Sequence, residues 1–78
     1  MNLGDKVKVT KLIGAGKTLG DLKFINMVGK VTYVDDSITG SEYDVYNNEV
    51  TFPPDKESKK RGITSISDWF ADEELERL

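Results

Sequence analysis

Ile66-Ser67-Asp68-Trp69-Phe70-Ala71-Asp72-Glu73-Glu74-Leu75-Glu76-Arg77-Leu78 is the stretch on which the fold class turns. Its second half has the composition of a helix. At 100° per residue, however, Ile66, Trp69 and Phe70 gather on one side while Leu75 and Leu78 point away. A helix running on from Ser67 therefore has no single apolar face. A strand into Trp69-Phe70, one helical turn at Asp72–Glu74 and a short final strand fit the pattern better. A continuous C-terminal helix is the alternative. Trp69 and Phe70 are adjacent, so in a strand only one can face inward. The other covers an edge or a loop, or stands exposed as an anchor for a partner.

Upstream, the same period-two reading recurs. Lys6-Val7-Lys8-Val9-Thr10 alternates, with the valines inward and the lysines outward. Gly14 to Asp21 is rich in glycine and reads as a long loop, with Phe24, Ile25, Met27 and Val28 as its anchors on the core. Gly29-Lys30-Val31-Thr32-Tyr33-Val34 is a second strand, dense in β-branched and aromatic residues. Asp35 to Ser41 is a turn-rich connection. Glu42 to Phe52 is extended again. Tyr43 and Val45 share one face and Tyr46, Val50 and Phe52 the other, which places a bulge or turn at Asn47-Asn48. Pro53-Pro54 ends that run, because proline donates nothing to a sheet ladder. Asp55 to Gly62 reads as a polar, charged loop, and Ile63 to Ile66 resumes extended structure. About five short strands with little helix predict an all-β domain spanning residues 1–78, a small, highly curved barrel or an orthogonal sandwich; the reading adopted is a five-stranded barrel with a short helical turn near its end.

Composition narrows the chemistry. The 78 residues contain no cysteine and no histidine, and carry a formal charge of −3. Thiolate and imidazole metal sites are excluded, as is the usual general base. Neither a nucleophile–base pair nor a cofactor is expected, so the sequence reads as non-enzymatic. Met1-Asn2-Leu3-Gly4-Asp5 has neither a basic nor an apolar leader segment. No run approaches the length of a membrane span. A cytoplasmic protein without a membrane partner is the expectation.

The run Gly4–Val9 (GDKVKV), Val28–Val34 (VGKVTYV), Tyr43–Phe52 (YDVYNNEVTF) and Asp68–Leu78 (DWFADEELERL) resembles the small SH3-like barrels of bacteria and plastids. Similar layouts occur in a small barrel protein of photosystem I, the variable chain of ferredoxin–thioredoxin reductase and the nitrile hydratase β-subunit barrel. The ending, an aromatic pair, an acidic turn and two leucines, is most similar to small uncharacterised barrels of bacterial prophages. The resemblance implies an SH3-like barrel that binds a partner or trims a larger enzyme complex as an accessory subunit.

Three motifs carry candidate chemistry. Gly16-Lys17-Thr18 matches the end of a phosphate-binding loop, but the required earlier glycine is replaced by Lys11. A nucleotide-binding sheet also needs crossover helices that so short a chain lacks, so a plain glycine loop is expected. Asp35-Asp36 would point to opposite faces of a strand and so converge poorly on a metal; a solvated turn is expected. Lys56, Lys59, Lys60 and Arg61 form the one compact basic cluster, and they are the residues expected to bind a partner protein.

Charge is segregated along the chain. The first 34 residues are basic through Lys6, Lys8, Lys11, Lys17, Lys23 and Lys30, and the last twelve are acidic. The lysines could gather into a face that takes nucleic acid, the second reading. Tyr33, Tyr43, Tyr46 and Trp69 could stack bases there, but in a small barrel most of them should lie in the core. The acidic end, with Asp68, Asp72, Glu73, Glu74 and Glu76, reads as a solvated edge or as a dock for a basic partner.

Overall fold

A computed structural model describes residues 1–13, 19–35 and 45–78. It is mostly β, with five strands in one antiparallel sheet: β1 (Lys6–Val9), β2 (Val28–Val34), β3 (Asn48–Phe52), β4 (Ile66–Phe70) and β5 (Leu75–Arg77). The strand order is β4-β3-β2-β1-β5. One short helix, α1 (Lys56–Lys60), and 3-10 turns at Leu19–Phe24 and Asp72–Glu74 complete the described elements. The C-terminal stretch is thus a strand, one helical turn and a strand. The continuous helix is ruled out by the pairing of β5 with β1, which sets Val9 opposite Leu75.

Period-two alternation builds the core. Val7, Val9, Val31, Val50, Phe52, Phe70 and Leu75 are buried from five strands, and Phe24 enters from the 3-10 turn. The three phenylalanine rings meet one another, with centroids 5.1 Å apart for Phe24–Phe52, 5.6 Å for Phe24–Phe70 and 5.8 Å for Phe52–Phe70. Tilted and edge-on contacts of this kind suit the ring quadrupole. Of the anchors expected after the glycine loop, Phe24 is buried and Met27 packs at the margin, whereas Val28 faces solvent. Gly14–Thr18 lie outside the described residues, so neither the loop there nor the phosphate-loop likeness is placed; Leu19 to Asp21 begin a 3-10 turn.

Four expectations need correction. The bulge lies in β2, where the register against β3 shifts between Val31 and Tyr33, and not at Asn47-Asn48. Thr32 is the extra residue, so Thr32 and Tyr33 both face outward while Val34 turns back beside buried Asn48. Secondly, β3 is shorter than the extended run read from the sequence and starts at Asn48; β4 likewise starts only at Ile66. Thirdly, Asp55–Gly62 is not a loop but holds α1. Fourthly, Tyr33 and Trp69 are not core residues. They are 54% and 37% exposed and meet edge-to-face at 5.9 Å on the outer side of the sheet. Phe70, next to Trp69, fills the core as strand parity requires. Tyr43 and Asp36 lie outside the described residues.

Gly29 explains why β2 sits so close to β3. A Cβ on it would stand 2.7 Å from the Phe52 ring, 2.7 Å from the Thr51 carbonyl oxygen and 2.8 Å from a Val50 methyl. A carbonyl oxygen cannot swing away as a side-chain tip can. Gly29→Ala should therefore cost about 1–3 kcal/mol, the usual scale for overpacking a filled core. Urea unfolding should show a lower midpoint with an unchanged slope.

Candidate partner-binding surface

The basic cluster sits on α1, and its order comes from the two ends of the helix. Asp55 is the N-cap, and its carboxylate accepts from the Ser58 amide at 2.7 Å. At the other end Gly62 adopts φ +78°, where only glycine sits without strain. The Gly62 amide donates to the Lys59 carbonyl oxygen at 3.1 Å, and the Ile63 amide donates to that of Ser58 at 3.0 Å. This pair of bonds is the Schellman closure of a helix. No residue of α1 is buried. Hydrophobic periodicity therefore could not reveal it, but Asp55 and Gly62, seven residues apart, are legible capping signals.

Helical spacing sorts the charges. Lys56, Lys59 and Lys60 fall within about 100° of arc, with Glu57 about 60° and Arg61 about 100° beyond its edge. Arg61 donates from Nη2 to Glu57 Oε1 at 3.0 Å, an exposed pair of little energetic weight. The three lysines, all exposed, are thus one small cationic surface, and Arg61, the C-cap residue, is paired with Glu57 beside it. The Asp55 carboxyl lies below its usual range, held there by the Ser58 backbone and side-chain bonds, with smaller help from Lys23 and Arg61.

The wider lysine face is only partly assembled. Lys6 and Lys30 stand directly opposite each other on β1 and β2. Lys8 pairs across to Val28 on one side and Glu76 on the other. Lys23 lies 5.3 Å from the centre of the Phe24 ring. Lys11 is exposed beyond the end of β1, and Lys17 lies outside the described residues.

The acidic end is not the uniform solvated edge that its composition suggests. Asp72, Glu73 and Glu76 are exposed, but Glu74 is fully buried. Its Oε1 accepts from the Ala71 amide at 2.9 Å and its Oε2 from the Ile13 amide at 3.1 Å. Its backbone oxygen accepts from the Thr10 amide at 2.9 Å. One residue thus ties the chain leaving β1 to the turn that precedes β5. Sequence reading missed this. The available signal was a glutamate three residues after the residue that opens the turn, the position from which a side chain reaches back to the free amide.

Asp72 is held by the Met1 ammonium at 2.9 Å and by Asn48 Nδ2 at 2.8 Å, and both contacts lower its pKa, the ammonium more. Asn48, buried, also donates to the Phe70 carbonyl oxygen at 3.1 Å. Among the described residues, no group of three or more acidic side chains is placed to hold a metal ion. Comparison of the chain with protein-family models, with curated proteins and with solved structures gives no match.

Two outcomes are expected. Glu74→Ala leaves the Ala71 and Ile13 amides without their partner and should destabilise by about 1–3 kcal/mol, with Glu73→Ala near neutral in the same thermal melt. Asp72 has a folded pKa below its ordinary value of 3.8. Its contribution to stability is therefore complete above that value and is lost as pH falls through the lowered one. Melting temperature followed from pH 7 downward should drop in that acid range, and Asp72→Asn should flatten the drop.

Proposed function

We propose that this chain is a non-enzymatic protein-binding module, a small SH3-like barrel that engages an acidic partner protein through α1. The observation that carries the reading is that α1 is capped at both ends yet buries nothing. A helix ordered without contributing to the core presents Lys56, Lys59 and Lys60 in a preset arrangement, which reduces the entropy lost on binding. The order β4-β3-β2-β1-β5, with a 3-10 turn leading into β5 beside β1, supports the barrel reading. So does the resemblance to small prophage barrels, from which a phage-encoded, cytoplasmic adaptor follows as part of the proposal. The absence of histidine and cysteine from the sequence supports a role in binding over one in catalysis. No described helix is long and apolar enough to cross a membrane.

A second reading, nucleic-acid binding, draws on Lys30, Tyr33 and Trp69 lying on one outer sheet face. Glu49 opposes it. That residue is paired on β3 with Tyr33 on one side and Trp69 on the other, and its carboxylate would repel a phosphate there.

The test replaces Lys56, Lys59, Lys60 and Arg61 together with Ser. Since none of them packs in the core, the melting temperature should fall by a few degrees at most, a change of about 1 kcal/mol or less. Capture of the partner recovered by crosslinking from the host should be lost. Full capture by the folded variant would overturn the assignment to α1.

A further inference from the structure

The outer face of the sheet holds a second cationic feature, and it has an apolar floor. The Val31 amide donates to the Asp5 carbonyl oxygen at 2.9 Å, and the Val9 amide donates to that of Met27 at 3.0 Å. Hydrogen-bonded and non-hydrogen-bonded pairs alternate along an antiparallel ladder, so Lys6 and Lys30 between these points form a non-hydrogen-bonded pair. That is the closer of the two arrangements, with Cα atoms about 4.5 Å apart, and like charges in it repel. Among the described residues, no carboxylate lies within ion-pair distance of either lysine. Beside them runs an open groove of about 580 Å³, lined by Val28, Gly29, Pro53 and Gly4, the two lysines and Thr51. Val28 is exposed although it is β-branched and apolar.

We infer that this groove is a binding site for an acidic peptide segment of a partner protein, with an apolar side chain seated against Val28 and Pro53 and flanking carboxylates paired with Lys6 and Lys30. Charge complementarity selects the occupant. Two adjacent ammonium groups with no carboxylate among the described residues at ion-pair distance lower their mutual repulsion when carboxylates arrive, and the floor rewards an apolar group between them. A nucleic-acid strand would bring the charge, but the floor of Val28 and Pro53 offers no aromatic ring on which a base could stack. The inference rests on the protein-binding reading but uses a surface separate from the lysines of α1.

The experiment titrates the isotopically labelled full chain with a synthetic peptide, Gly-Glu-Glu-Leu-Glu-Glu-Gly, at up to millimolar concentration, following backbone amide shifts. Saturable shifts at Gly4, Lys6, Val28 to Lys30 and Thr51 are expected. Lys6→Gln with Lys30→Gln should weaken binding by about tenfold or more. That double variant relieves a repulsion, and Val28→Glu, at an exposed position, provides an independent second block. The Ser variant of α1 should bind the peptide as the parent does, so a failed α1 assignment and a failed groove assignment are told apart. Absent shifts, equal binding of the peptide with Gln for Glu, or tighter binding of a twelve-nucleotide oligothymidylate at the same amides would each overturn the inference.

Discussion

The contact of Phe24, Phe52 and Phe70 is the interaction on which the rest of the molecule depends. A chain of 78 residues buries few side chains, and here three rings from three separated elements supply much of the volume. Phe24 brings the long β1–β2 connection back over the sheet, Phe52 closes β3, and Phe70 commits β4. The rings also constrain their neighbours. Phe52 needs the space that a side chain on Gly29 would take, and that glycine lets β2 approach β3. Strand pairing and core filling are therefore one problem in this fold, solved at the same residues.

The sheet edge is finished by polar contacts. β5 is only three residues long and would be weakly held by its ladder with β1 alone. Glu74 adds bonds to Ala71, Ile13 and Thr10, so the turn before β5 is fastened to the chain after β1. Asn48 and Asp72 do the same between the start of β3 and the end of β4. A buried carboxylate is costly unless its oxygens are satisfied, and each oxygen of Glu74 has an amide. The acidic ending of the chain thus divides into a structural half and an exposed half, a division that composition conceals.

The surfaces proposed for binding lie on what this framework leaves outside. α1 has no packing role and is held by Asp55 and Gly62, so its lysines face solvent. The Lys6–Lys30 pair is imposed by register. Once Val7 lies opposite Gly29 inside, two lysines must meet outside. The bulge at Thr32 similarly turns Tyr33 outward against Trp69, giving the outer face an aromatic end and a cationic end.

The all-β class and much of the core were legible in the sequence, because the period-two alternation of Lys6–Val9 and Asn48–Phe52 and the β-branched, aromatic content of Val28–Val34 are local signals that need only strand geometry. The sequence favoured the strand–turn–strand ending, since Leu75 and Leu78 could not share a helical face with Trp69 and Phe70, and the pairing of β5 with β1 then excluded the continuous helix. The sequence carried the caps of α1 in Asp55 and Gly62, although that helix, having no apolar stripe, reads as a charged loop. Which of several similar glutamates is buried, where the bulge falls and which lysines stand together were set by the packing of distant segments. Those outcomes depend on register between strands distant in sequence. A shift of one residue sends every side chain to the other face, and no local pattern specifies the partner. Glu74 and Glu73 are the same residue type side by side, and Ile13, sixty-one positions away, makes one of them structural.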